Sequence, residues 1–132
     1  MKITKASDYA IRLLVDLAGE DGVGTTSEEL AEKIDIPFNH MSKIVQILGR
    51  RGYLLTRKGK GGGISLAKDP KNISLAEVIE AVEGPMTLNN CIFHVESCRF
   101  GKKCKVRKCL GGVQNSIVEM LSAKSIYEMA AG

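Results

Sequence analysis

The chain has 132 residues, no tryptophan, and only three phenylalanines and three tyrosines. That poverty of aromatics excludes a stacking platform for single-stranded nucleic acid. No apolar run approaches the ~18 residues of a membrane-spanning helix, and the opening Met1-Lys-Ile-Thr-Lys5 has no secretory signal core. A cytoplasmic protein without a membrane partner is therefore expected. Cysteine is missing from the first 90 residues; all four cysteines fall between Cys91 and Cys109. Catalytic signatures are also wanting. There is no C-x-x-C pair, no phosphate-binding loop ending in Gly-Lys-Ser/Thr and no conventional nucleophile–base arrangement, so an enzyme is not expected.

Acidic residues are missing in a patterned way. The net charge is a mild +4, yet no Asp or Glu lies between Asp35 and Asp69, where Lys43, Arg50, Arg51, Arg57, Lys58, Lys60 and Lys68 stand. A second acid-free run, between Glu96 and Glu119, holds Arg99, Lys102, Lys103, Lys105, Arg107 and Lys108. Clustered charge of one sign points to a polyanionic partner more strongly than the total does.

What is present reads as short helices. Ala6, Ala10, Leu13, Leu14 and Leu17 recur at helical spacing from Thr4 to Ala18. Thr26-Ser-Glu-Glu29 is a capping box that opens a second helix through Leu30, Ala31 and Ile34. Pro37 suits the first position of a third helix reaching Arg51. At about 100° per residue, Met41, Ile44, Val45 and Leu48 share one side of it. Asn39, Lys43, Gln46 and Arg50 lie opposite, flanked by His40 and Ser42. Lys and Arg suit phosphates and guanine; Asn and Gln suit adenine edges. Short helix, brief turn and second helix make a helix-turn-helix.

Tyr53–Thr56 and Ile64–Leu66 then predict a β-hairpin around Arg57-Lys-Gly-Lys-Gly-Gly-Gly63. Arg57, Lys58 and Lys60 stand among four glycines in that loop, which can approach a phosphate backbone closely, as a wing does. Ser74-Leu-Ala-Glu77 is a further capping box, for a helix closed by Gly84-Pro85. From Val106 onward, Leu110, Val113, Ile117 and Met120 follow coiled-coil spacing and suggest a dimerisation helix, against which Gly111-Gly112 counts. Together these predict a mainly α fold with a small β-hairpin: a winged helix-turn-helix over 1–83, a cysteine-rich loop over 84–105, and a dimerisation helix with a C-terminal tail over 106–132.

Cys91, Cys98, Cys104 and Cys109 are separated by six, five and four residues, with His94 inside the first gap. Disulfides need an oxidising compartment and fit least. Zinc ligands usually pair two to four residues apart on a tight knuckle, as Cys91-Ile-Phe-His94 does. An iron–sulfur cluster tolerates wider spacing, and the intervening cations would offset its charge. Spacing alone leaves zinc and cluster level.

The opening Lys2–Ile11, the wing Lys58–Ile64, the stretch Ile73–Ile79 and the cysteine trio together resemble the Rrf-two family of winged-helix transcriptional regulators, in its IscR- and NsrR-like iron–sulfur branch. The resemblance covers essentially the whole chain. It implies a homodimer reading double-stranded DNA at a near-palindromic operator through Asn39, His40, Ser42, Lys43 and the wing's Lys58. It implies an iron–sulfur cluster held by Cys91, Cys98 and Cys104, sensing redox state, nitric oxide or iron–sulfur status. One pattern in the family draws its fourth ligand from a histidine three residues after the third cysteine; Arg107 stands there. Another draws a carboxylate from the first helix of the other subunit, and Asp8 stands there, which favours a four-iron (4Fe-4S) over a two-iron (2Fe-2S) cluster. Ser42 replaces an acidic base-discriminating residue, so operator preference does not transfer. The alternative is a winged-helix regulator without a cluster, whose cysteines bind zinc or sense redox state directly as thiols. Cys109 is an extra thiol, either a fourth ligand or a free reactive cysteine, and has no assigned role.

Overall fold

The computed structural model describes residues 3–19, 25–59, 62–88, 96 and 99–131. The first helix, α1 (Lys5–Gly19), buries Ser7, Ala10, Leu13, Leu14 and Leu17 along one stripe. The second, α2 (Ser27–Lys33), begins at the expected capping box: Thr26 Oγ1 accepts from the Glu29 N–H at 3.1 Å, and the Glu29 carboxylate accepts from the Thr26 N–H at 3.4 Å. Asp35 takes a left-handed backbone (φ 53°) that ends α2 and brings the Ile36 N–H onto the Ala31 carbonyl. Pro37 has extended backbone, so it precedes α3 (Phe38–Arg50) as its cap instead of forming its first residue.

The hairpin pairs β1 (Leu54–Arg57) with β2 (Gly63–Leu66), Leu54 opposite Leu66 and Arg57 opposite Gly63. The Ile64 N–H also donates to the Thr25 carbonyl at 2.6 Å, which stitches the hairpin to the entry of α2. A 3₁₀ turn at Pro70–Asn72 leads to α4 (Leu75–Glu83), which starts at the Ser74/Glu77 capping box and stops at Gly84, whose φ of 83° suits only glycine well. The Thr4 and Ser7 hydroxyls both donate to the Glu83 carboxylate, binding the start of α1 to the end of α4.

Two departures follow from capping. The helix α5 (Lys105–Ser122) runs through Gly111-Gly112, where loss of helix propensity is offset by the Cys104 cap before the pair and by the packing of Gln114, Val118 and Leu121 after it. The expected C-terminal tail instead contains α6 (Ile126–Ala131), opened by a third capping box in which Ser125 Oγ accepts from the Glu128 N–H at 3.1 Å. Ile126 is fully buried, α6 packs on α1, and the Ile126 N–H bonds the Ile73 carbonyl. The main core thus joins α1, α2, α3, the hairpin, α4 and α6. A smaller cluster of Ala76, Ile79 and Met86 seats Val118 and Leu121 of α5. No helix among the described residues is long and apolar enough to cross a membrane.

Tyr53, just before β1, donates its hydroxyl to Glu77 at 3.1 Å, and Lys68 lies over its ring. Burial first, then the neighbouring carboxylate, pushes the Tyr53 phenol up to about 12. Burial works against the Glu77 carboxylate, but donors from Ser74 and Tyr53 and the charge of Lys68 hold it below its ordinary value.

Two measurements check this packing. Ile126→Ala empties a sealed site and should lower unfolding stability in urea by about 2–5 kcal/mol with secondary structure retained. The raised Tyr53 pKa gives stability that is whole below pH 10.0 and is lost as pH climbs through about 12; Tyr53→Phe should remove that alkaline decline.

Candidate nucleic-acid interface

The burial of Met41, Ile44, Val45 and Leu48 fixes the rotation of α3 about its axis. Asn39, Lys43, Gln46 and Arg50 consequently face solvent. His40 is exposed and meets the Tyr9 ring of α1 edge-on, centroids 5.9 Å apart. Ser42 is half-buried on the other flank.

In the wing, Arg57 and Lys58 are exposed; Lys60 lies outside the described residues. The turn is tight. The Gly62 N–H donates to the Gly59 carbonyl at 2.9 Å, and a Cβ on Gly62 would stand 2.2 Å from the Arg57 carbonyl oxygen. A cleft of about 430 Å³ separates the wing from the first turn of α2, with Phe38, Glu28, Arg57 and Lys58 on its walls. The start of α3 and the wing therefore open onto the same space. Phe38, exposed at 51%, received no role in the sequence reading, because an apolar residue beside Pro37 reads as one more core position.

Ion pairing separates the cations further. Lys33 pairs with Asp16 and Lys68 with Glu77, whereas no carboxylate among the described residues pairs with Lys43, Arg50, Arg57 or Lys58. Four unneutralised cations on α3 and the wing, beside the amides of Asn39 and Gln46, can take phosphates and base edges.

Of the cysteine segment, Cys91, His94 and Cys98 lie outside the described residues. Cys104 is half-buried and caps α5, its Sγ accepting from the Arg107 N–H at 3.4 Å. It stands at the end of a helix where peptide dipoles favour anions. Arg107 folds back, Nη2 donating to the Lys102 carbonyl at 2.9 Å; a guanidinium cannot supply a metal with a lone pair. Asp8 is half-exposed on α1 and ion-paired with Arg12 at 2.8 Å. Among the described residues no three potential metal ligands come together. Cys109 is exposed on α5.

At the other end of the segment, the nearly buried Gln114 of α5 accepts from the Leu88 N–H at 2.8 Å, so α5 holds the chain on both sides of the cysteines. This glutamine also escaped the sequence reading, since a polar residue in an amphipathic helix is ordinarily assigned to solvent. Gln114, Val118 and Leu121 make the domain-facing stripe of α5. Val106, Val113 and Met120, from the coiled-coil seam, lie roughly a quarter turn away and are exposed at 66%, 46% and 71%.

Comparison with known proteins agrees with this architecture. The family model of Rrf2, described as an iron-dependent transcriptional regulator, matches residues 3–132. The HTH-type transcriptional regulator NsrR of Bacillus subtilis (strain 168) is 38% identical over 92 residues, covering 69% of this chain and 63% of that protein's length. CymR, the global cysteine regulator of B. subtilis, superposes with a TM-score of 0.84 at 20% identity, covering 99% of this chain and 97% of CymR. T. potens IscR superposes with a TM-score of 0.78 at 20% identity (98% and 85% covered), and the oxidized form of Staphylococcus aureus CymR with 0.76 at 22% identity (98% and 96% covered). These likenesses show the expected winged-helix fold with its long C-terminal helix.

Lys58→Ala should weaken binding to duplex DNA and reduce the slope of log affinity against log salt by about 2, as one lost phosphate contact in each subunit of the expected dimer does. Gly62→Ala should also weaken binding, through displacement of the wing, with helix content in circular dichroism unchanged.

Proposed function

The chain belongs to the Rrf2 family of transcriptional regulators, and we propose that it is a homodimeric, sequence-specific DNA-binding regulator whose affinity for its operator is set by an iron–sulfur cluster. The observation that carries the DNA reading is the unpaired cationic and amide face of α3, held in place by its buried stripe and continued by the wing. Asn39, His40, Ser42, Lys43, Gln46 and Arg50 contact the major groove, and Arg57, Lys58 and Lys60 the adjoining backbone. A second copy joined through the exposed seam of Val106, Val113 and Met120 presents a second α3, so the operator is a near-palindrome with half-sites one helical turn or a multiple apart.

Cys91, Cys98 and Cys104 hold the cluster, four-iron in preference to two-iron, with Asp8 of the partner subunit as the fourth ligand. The described part of this set fits: Cys104 is free, stands at an anion-favouring helix end and is surrounded by Lys102, Lys103, Lys105 and Arg107. Arg107 cannot ligate, which leaves the fourth position to another group. Release of Asp8 from Arg12 would be needed for it to serve. A bound cluster would supply iron–thiolate bonds that oxidants, nitric oxide or acid can break. The protein's share is mechanical. Gln114 and Cys104 fix the two ends of the segment on α5, α5 sits on α4, and α4 is bonded to the start of α1 through Glu83. A rearrangement between those anchors therefore reaches the DNA-reading half and shifts the population of binding-competent dimers.

A second reading has its own support. The exposed Cys109 lies beside Val106 and Val113, and the structural relatives include a global cysteine regulator and an oxidized form. In that reading the thiols sense redox state directly.

Anaerobically purified protein should contain iron and acid-labile sulfide and absorb in the visible. Cys104→Ser should abolish all three signals and Cys109→Ser should leave them. Absence of iron and sulfide would overturn the cluster reading. Equal DNA affinity of loaded and chelator-treated protein in gel shifts would overturn cluster control while leaving DNA binding intact.

A further inference from the structure

We infer that Phe38 reads thymine, by packing its ring on the 5-methyl group in the major groove; the inference rests on the DNA-binding function proposed above. Phe38 is the first residue of α3, and the N-terminal residues of a helix lying in the major groove are those that reach base edges. The residue is 51% exposed, while the next apolar residue of the helix, Met41, is fully buried. The ring is thus left out of the core that the rest of the apolar face of α3 enters.

Its surroundings point to DNA as the occupant. Phe38 lines the cleft below the wing together with Arg57 and Lys58, which carry no ion pair among the described residues. Among the described residues Glu28, in the first turn of α2, is the one carboxylate lining that cleft; on its other side Phe38 borders a second cleft lined by Glu28, Glu32 and Asp35. A cleft with cations on the wing and an apolar ring at the helix start is complementary to a phosphate backbone beside an exposed methyl group.

The polar face of α3 leaves that task open. Asn39 and Gln46 suit adenine, while Lys43 and Arg50 suit guanine or phosphate. None of them distinguishes thymine by its methyl, which is read by apolar contact. Phe38 is also held ready for the contact. The left-handed Asp35 and the Ile36–Ala31 hydrogen bond fix the approach, and the His40 and Met41 N–H groups both bond the Pro37 carbonyl at 3.0 Å. The ring is placed by backbone that needs no rearrangement on binding.

The test uses the full chain, purified anaerobically, on duplexes that it enriches from a random library. Each duplex is compared with a copy carrying uracil for thymine, which keeps base pairing and removes only the methyl groups. Wild-type protein should bind the uracil copy about tenfold to twentyfold more weakly, the size expected for two lost methyl contacts, one per protomer, at about threefold to fivefold each. Phe38→Ala should bind the thymine duplex that much more weakly and should not distinguish the two copies. Phe38→Leu, which keeps an apolar side chain, should retain a thymine preference. The salt slope should stay at its wild-type value in both variants, unlike that of Lys58→Ala. Equal binding of both copies by wild-type protein, or an undiminished thymine preference in Phe38→Ala, overturns the assignment to Phe38. Failure to enrich any duplex overturns the DNA-binding function itself.

Discussion

Burial of four side chains on α3 governs how this molecule can meet a partner. Met41, Ile44, Val45 and Leu48 enter a core shared with α1, α2 and the hairpin, and a helix anchored along one stripe cannot rotate about its axis. The direction of every outward side chain is set as a result. Asn39, Lys43, Gln46 and Arg50 are presented as a row because their opposites are trapped, and Ser42 and His40 become flanking residues for the same reason. The wing depends on the same core: Leu54 and Ile64 are buried in it, and the Thr25 carbonyl ties Ile64 to the entry of α2. Helix and wing are consequently two parts of one rigid surface.

Much of this was legible because the chain announces its helices. Capping boxes at Thr26/Glu29 and Ser74/Glu77 gave two starts, and spacing gave the core stripe of α3 residue for residue. The same grammar at Ser125/Glu128 is not decisive in the sequence, because a run of only six helical residues offers too little periodicity to stand out; burial of Ile126, a tertiary effect, makes α6 a helix. Pro37 shows the limit of boundary reading. Proline suits the first turn by its fixed φ, but here its ψ of 134° places it just outside. Gln114 and Phe38 were hidden for one reason: each has the polarity opposite to that of its environment, and such exceptions become visible only when the neighbours are known.

The α5 helix carries two obligations at once. One stripe, from Gln114 to Leu121, closes the smaller core and grips Leu88, while Cys104 caps its first turn. The other stripe remains apolar and outward. A helix loaded on two faces couples whatever occupies the outer one to the segment that the inner one holds. Under the proposed function, dimer contact and cysteine chemistry would therefore act on the same helix.

The docking of α6 on α1 has a bearing on how the protein comes into being. Synthesis proceeds from the N-terminus, so every residue of the reading helix and wing is made long before Ile126, whose side chain is sealed within the core beside α1. Until that residue has been added, the nascent chain lacks the side chain that fills the apolar space between its first helix and Ile73. Completion of the core comes late, and the cooperative fold with it. The face of α3 and the wing, proposed above to meet nucleic acid, thus depends for its final rigidity on a helix at the far end of the sequence.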